Sequence, residues 1–199
     1  MNRLLLLLLG ALAAATMTGC GGQSAPGDFG SRGEGNIPIG KLKSVLPAVA
    51  SATDSSGWSG TLSVASDGTV FSPSLSDGPA LFTVEDSSGN RLEMPLELGR
   101  ERRLVFQARI HPKADGAACT GLRIVLPNDK PLYVGNNVPL KVEAEGSKVE
   151  GLPASLWVSG GVGSILEGNR FVATRPGSGS IEAELLGVRA SLPITVLER

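Results

Sequence analysis

From about residue 37 onward, apolar residues alternate with polar ones in short runs that Gly, Asp, Asn and Ser separate. A period of two places alternate side chains on one face of a strand, and no stretch keeps the 3.6-residue period of a helix. Short alternating runs divided by turn residues are typical of antiparallel sheets. Hydrophobic residues make up 41% of the chain, which is enough to form a core. The sequence therefore predicts an all-β protein.

The alternation also places individual strands and turns. Asp86-Ser87-Ser88-Gly89-Asn90 predicts a hairpin turn in which Gly89 or Asn90 takes a positive φ. Asp67 and Asp77 each stand alone before a Gly, which indicates turns rather than a calcium site, because Ca²⁺ needs about six to eight oxygen ligands. The predicted strands are 39–46, 60–65, 69–72, 81–85, 91–96 and 104–110, then 122–126, 132–135, 138–144, 156–159, 168–177, 179–185 and 192–196.

The first nineteen residues have the pattern of an export signal. Arg3 supplies one positive charge, and the apolar run 4–15 is about twelve residues long, too short for the ~20 of a membrane-spanning helix. Met17-Thr18-Gly19-Cys20 resembles the lipobox of bacterial lipoproteins. That resemblance implies cleavage before Cys20 and attachment of a lipid to its thiol, which anchors the chain to a membrane. An ordinary secretory signal with an incidental Cys20, or an uncleaved anchor, are the alternatives.

The chain after Cys20 divides by composition. Residues 20–37 are rich in Gly, Ser and Pro and predict a flexible tether. We expect a β-sandwich at 38–113, a linker at 114–120 and a second sandwich at 121–199. The predicted fold class is thus two small β-sandwich domains in tandem after a signal peptide and a tether.

Residues 121–199 carry the clearer family pattern. A strand with Trp157 and Ser159 precedes the 168–177 hairpin, the Gly179–Ala183 strand and the closing strand 192–196. This order resembles a bacterial immunoglobulin-like domain of the second group. The resemblance implies an immunoglobulin-like sandwich with Trp157 as the apolar plug between its two sheets, and we expect one Trp at the centre of each block's core.

The first block carries a weaker pattern, Asp67-Gly68-Thr69-Val70-Phe71. It resembles the turn of carboxypeptidase regulatory-like domains, which are prealbumin-type sandwiches. A prealbumin-like or an immunoglobulin-like fold is therefore expected for 38–113.

The residues needed for catalysis are scarce. His111 is the one His of the chain, no Gly-x-Ser-x-Gly motif occurs, and one Cys remains after Cys20, so nucleophilic triads and zinc sites lack their ligands. His111 is interpreted as a surface residue at the domain junction. We predict no enzyme activity, no catalytic residue, no metal and no cofactor. The 18 basic and 19 acidic residues are scattered, which argues against a nucleic-acid partner.

Four features remain as candidate contacts. Trp58 and Tyr133 are candidate ligand-binding aromatics that could stack on a sugar, although Trp58 also fits a core position. Cys119 is either a small buried thiol or an exposed one that links two molecules. The Arg100, Arg102 and Arg103 cluster is either a solvated loop or a contact for anionic groups.

These features predict a non-enzymatic, lipid-anchored cell-envelope protein that acts as an immunoglobulin-like spacer, adhesion or protein-interaction module. Its expected partners are the membrane, through the N-terminal lipid, and an envelope protein or polysaccharide. The residue after Cys20 is Gly21, not Asp, which by family resemblance favours the outer membrane or cell surface. The alternative is a carbohydrate-binding accessory lipoprotein with an exposed aromatic.

Overall fold

The described chain folds into strands joined by turns. The structure is a computed structural model and describes residues 37–72, 75–98, 105–112 and 116–199. All described residues fall within one compact unit, Arg32–Arg199. The predicted signal peptide 1–19, Cys20, nearly all of the tether and the Arg100, Arg102 and Arg103 cluster lie outside the described residues and stay predictions. In the described part of the chain, no helix has the length and apolarity required to cross a membrane.

The first half of the chain forms a sandwich of two sheets. One sheet has four strands in the order β3-β2-β6-β7, and it packs on the β8-β1-β5-β4 part of an eight-stranded sheet. A core of buried residues from both sheets fills the space between them. The strands are β1 (Ile37–Ser44), β2 (Ala48–Asp54), β3 (Ser59–Thr61), β4 (Ser63–Val64), β5 (Thr69–Ser72), β6 (Gly78–Asp86), β7 (Arg91–Leu98) and β8 (Phe106–Ile110).

Two local predictions for this half were incomplete. Strand β2 was not predicted, because its inward side chains are Ala50 and Ala52, whose small size and low strand propensity hide the alternation. The single strand expected at 60–65 is two short strands on either side of Leu62, and they belong to different sheets. The hairpin turn was predicted correctly, and Gly89 takes the positive φ of 79°.

The second half forms another sandwich. Its strands are β9 (Ala118–Val125), β10 (Leu132–Tyr133), β11 (Asn137–Pro139), β12 (Lys141–Ser147), β13 (Ser155–Ser159), β14 (Gly163–Leu166), β15 (Arg170–Ala173), β16 (Gly177–Leu185) and β17 (Val188–Leu197).

These strands have the arrangement of an immunoglobulin fold. Strand β9 pairs with β12. Only Leu140 separates β12 from β11, and β11 pairs with β15, which pairs in turn with β14. The facing sheet has the order β13-β16-β17, with β10 added beside β17 in parallel. Lettered in chain order, these are the ABED and CFG sheets of an immunoglobulin fold. The predicted all-β class with an immunoglobulin-like second half is therefore confirmed, while the assignment to the second bacterial group stays a prediction.

The two sandwiches share a sheet. Strand β13 pairs with β16 on one side and with β8 on the other, through Leu156↔Gln107 and Trp157↔Phe106. The first four residues of β13 are all buried, and so are four of the five residues of β8. Both strands are covered on both faces, because the four-stranded sheet lies on one side and the ABED sheet on the other. The domain limits 38–113 and 121–199 stay a prediction within this shared architecture.

The expected position of Trp157 was wrong. Trp157 is 1% exposed, but it belongs to the core of the first half, while Leu156 and Val158 belong to the core of the second. Neighbouring strand residues point to opposite faces. Trp157 therefore lies on the outer face of the CFG sheet, while Leu156 and Val158 lie on its inner face. Trp58 also packs against the first core. The large aromatic of the second core is Phe171, which is fully buried.

Candidate binding site at the junction of the two sandwiches

A groove of about 560 Å³ lies where the two sandwiches meet. One wall is the β6–β7 turn with Arg91, the floor is the end of β8 with Arg109 and His111, and the other wall is the β16–β17 turn with Glu184. Gly116 and Ala117, just before β9, complete the lining. Ligand sites commonly occur at domain interfaces, in cavities of ~300–1,000 Å³. The groove is therefore the candidate functional site.

Hydrogen bonds to Asp86 build the first wall. Asp86 accepts the backbone N–H of Ser88 at 2.9 Å, the backbone N–H of Asn90 at 3.0 Å and the side-chain amide of Asn90 at 2.8 Å. The side-chain hydrogen bond from Asn90, with the backbone bonds, lowers the pKa of the Asp86 carboxyl. The turn fixes the start of β7, where the Arg91 guanidinium lies 2.7 Å from Glu93 and remains 54% exposed.

The floor is fastened to the second half of the chain. The backbone N–H of Arg109 donates to Ser155 Oγ at 2.9 Å, and Ser155 Oγ donates to the Arg109 carbonyl at 3.0 Å. The His111 ring bonds through Nε2 to the Pro153 carbonyl at 2.7 Å, so Nε2 carries the proton. His111 lies at the junction, as predicted, and is half-buried.

The second wall holds a half-buried acid. Glu184 accepts the backbone N–H of Gly187 in the β16–β17 turn. Burial raises the pKa of the Glu184 carboxyl, against the smaller opposing effects of that hydrogen bond, Arg189 and His111. This wall therefore presents a carboxyl that its surroundings only partly stabilise in the charged form.

Arg189, the cross-strand neighbour of Glu184, is directed elsewhere. Its guanidinium lies 5.8 Å from the centre of the Trp157 ring and donates to the Glu93 carbonyl at 2.9 Å. Arg189 thus connects β17 of the second sandwich to β7 of the first.

The structure does not bring the two predicted aromatic candidates together. Trp58 is half-buried between β2 and β3 of the four-stranded sheet, where its ring lies against Gly60. Tyr133 is 36% exposed on β10, at the edge of the eight-stranded sheet. Neither residue lines the junction groove, and their roles in ligand binding stay predictions. The groove itself was missed, because its residues come from four separate segments of the chain.

The structure places Cys119 in a strand and Asp67 in a turn, and the two readings of Cys119 stay predictions. Cys119 is half-buried in β9 and its thiol contacts the Gly121 carbonyl at 3.2 Å. Asp67 lies in a turn, 2.6 Å from Lys41 and bonded to Thr69, and Gly68 has a φ of 80°. Among the described residues, no group of three or more His, Cys, Asp and Glu is placed to hold a metal ion.

No protein family and no curated protein sequence matches the chain. Solved structures that align with it include domains 4 and 5 of the S-layer protein SbsC, with 14% identity over 75% of this chain and 70% of that one, at a TM-score of 0.30. Murine CEACAM1b aligns with 9% identity over 80% of this chain and 96% of that one, at 0.26. Immunoglobulin domains 1–4 of Sidekick-1 align with 13% identity over 82% of this chain and 51% of that one, at a TM-score of 0.21. A likeness at this level does not extend to activity or partners.

Proposed function

We propose that this chain is a non-enzymatic, lipid-anchored envelope protein that presents two fused β-sandwiches to a partner at the cell surface. The observation that carries the proposal is the sheet shared through β8 and β13. Because β8 and β13 are buried on both faces, separating them would expose the cores of both sandwiches. The two sandwiches are therefore joined without a hinge. A body without a hinge holds its binding surfaces at a fixed distance and orientation, which suits a spacer or an interaction module.

Two of the strand edges, those of β7 and β17, are protected against pairing with another chain. On edge strand β7, the outward-facing Glu93 carbonyl accepts a hydrogen bond from Arg189. Pro95, two residues further along the same edge, has no N–H to donate to another strand. On β17, the Leu197 carbonyl faces β10 and bonds Val134, and Pro193 occupies an outward position of the same strand. Proline at outward edge positions prevents strand addition. We therefore place the proposed partner on a face or in the junction groove rather than at the β7 or β17 edge.

An exposed sheet face is available for such a contact. Val49 is 58% exposed and Leu81 is 41% exposed on the outer face of the four-stranded sheet. They lie in a shallow concavity of about 590 Å³, together with the hydroxyls of Ser51, Thr53 and Thr83. Burial of these two apolar side chains against a partner would favour binding.

The lipid anchor is tested with labelled palmitate in a bacterial host. We expect label in the wild-type chain and in Cys119→Ser, but none in Cys20→Ser, because the thioether requires the thiol at position 20. Cys119→Ser is the matched control, since it removes the other cysteine. Equal labelling of Cys20→Ser would disprove the anchor.

The partner is tested by cross-linking intact envelopes that contain the wild-type chain, followed by capture. A Leu81→Glu/Val49→Lys variant should lose the captured partner if the four-stranded face is used, while Leu197→Glu, at an exposed position on β17, should keep it. Retention of the same partner by both variants would exclude that face.

A second candidate function, a carbohydrate-binding accessory, is favoured by the exposure of Tyr133 at the edge strand β10. Quenching of intrinsic fluorescence by a polysaccharide, abolished by Tyr133→Ala and retained by Trp58→Phe, would support it. No response across a polysaccharide panel would favour the spacer.

A further inference from the structure

Opposite charges face the junction groove from two different elements. Arg91 belongs to the first sandwich and Glu184 to the second, and both line the groove. Arg91 is paired with Glu93, but with 54% of its side chain exposed it retains N–H donors for a second anion. The groove thus has a cationic wall at Arg91 and an acidic wall at Glu184, with Arg109 and His111 in the floor between them.

Arg189 and His111 offset the burial of the Glu184 carboxyl only in part. Its cross-strand partner Arg189 is used by Trp157 and by the Glu93 carbonyl. Within the described part of the chain, no ion pair to Glu184 is formed, and its one hydrogen bond comes from a backbone N–H. Burying a carboxylate without a cation is costly, so the position favours a ligand that brings one.

The walls leave the backbone accessible. Gly89 and Gly187 have φ values of 79° and 86°, and a Cβ at either position would have no atom within 4 Å. A small ligand can therefore approach the turns closely. The volume of about 560 Å³ accommodates an amino acid or a short peptide.

We propose that the junction groove binds an amino acid or short peptide in its zwitterionic form, with the ammonium group at Glu184 and the carboxylate at Arg91. A zwitterion places one of its charges on each wall. A purely anionic ligand would be repelled by Glu184, and a purely cationic ligand would be repelled by Arg91. Ligand binding in the groove does not depend on the lipid anchor. If the groove binds no ligand, the proposed envelope function still stands.

The test is a calorimetric and ¹⁵N NMR titration of the full chain in detergent micelles. The probes are alanyl-alanine, its N-acetyl derivative and its C-terminal amide. We expect binding at millimolar concentration or below, shifts confined to the groove residues, and at least about a tenfold loss of affinity on masking either end. No binding of any probe up to about 10 mM, or full binding of the N-acetyl or amide form, would overturn the proposal.

Two variants assign the ends. Glu184→Gln should remove the preference for a free ammonium, and Arg91→Gln the preference for a free carboxylate. The matched controls Glu198→Gln and Arg175→Gln change the same charges at exposed positions outside the groove and should keep both preferences. If both groove variants bind all three probes as the wild type does, the groove is not the site.

Discussion

The Arg189 guanidinium lies 5.8 Å from the centre of the Trp157 ring, and Trp157 belongs to the core of the other sandwich. Strand β17 is thereby joined to the first half of the chain through a cation–π contact, and the hydrogen bond to the Glu93 carbonyl adds a second connection. The contact also draws the Arg189 guanidinium to Trp157 and the Glu93 carbonyl, and among the described residues no ion pair to Glu184 is formed. One arginine therefore bears on both the union of the sandwiches and the charge of the groove.

Replacing Arg189 by Ala should lower the free energy of unfolding by about 1–2 kcal/mol, because a cation–π contact and a hydrogen bond are both lost. A double-mutant cycle with Trp157→Leu, followed by urea denaturation, isolates the ring contact. We expect a coupling of about 0.5–1 kcal/mol. Additive effects of the two changes would mean that the ring contact adds nothing. Arg123→Ala, which removes an exposed arginine from an ion pair on β9, should cost less than about 1 kcal/mol.

Adjacent residues of β13 should report on different cores. Trp157→Ala should cost about 3–5 kcal/mol and Val158→Ala about 1–3 kcal/mol, since both side chains are 2% exposed or less. Amide hydrogen exchange of the most protected residues shows which core each substitution weakens. For Trp157→Ala we expect faster exchange at Phe82 and Met94, and for Val158→Ala at Ile165 and Phe171. The same pattern in both variants would contradict the separation of the two cores.

Gly40→Ala should destabilise the first sandwich. A Cβ at Gly40 would lie 2.2 Å from the ring of Phe106, its partner in the parallel β1–β8 pairing. Overpacking of this kind costs about 1–3 kcal/mol, because the buried ring must move. Gly121→Ala is the control, since its nearest atom is the flexible Glu145 carboxylate at 3.3 Å. Thermal unfolding should separate the two variants, and equal melting temperatures would contradict the close packing.

Asp54 should contribute to acid sensitivity. It is 6% exposed and accepts hydrogen bonds from Ser56, Ser76 and Trp58, and these bonds, led by that from the Ser56 side chain, lower its pKa from 3.8 to about 2. A lowered pKa means that the folded state favours the carboxylate, so this stability is present above pH 4 and is lost as the pH falls toward 2. Asp54→Asn should flatten that part of the stability profile.

The control for Asp54 is Asp129→Asn, which removes the same charge from an exposed loop position. Denaturant unfolding between about pH 2 and pH 7 should give the Asp129 variant the slope of the wild type. An unchanged slope in Asp54→Asn would show that the hydrogen bonds do not perturb its titration.

Glu184→Gln should stabilise the chain at neutral pH. Burial raises the pKa of Glu184 above its ordinary 4.5. The folded state therefore favours the protonated form, and stability is lost as the pH rises through the raised pKa. Gln keeps the acceptor for Gly187 without the charge, so its advantage should appear above that pKa and vanish well below pH 4. Glu198→Gln should show no such pH dependence, and a Glu184→Gln advantage that is constant with pH would argue against a burial effect.

The sequence by itself determined the local structure. The period-two alternation identified the all-β class, and the turn residues located the 86–90 hairpin and the turn at Asp67, because these depend on neighbouring residues alone. Small side chains weakened this signal at β2, where Ala50 and Ala52 face the core. The lipid anchor at Cys20 stays a prediction that rests on the sequence pattern alone.

Only the tertiary structure decided which core each side chain enters and which residues form the groove. The alternation shows that Trp157 faces away from Leu156 and Val158, but not what covers each face. That is set by the pairing of β13 with β8, a contact between residues about fifty positions apart. Arg91, His111 and Glu184 meet in the groove for the same reason. Long-range strand pairing results from the packing of whole sheets, which no local pattern of residues encodes.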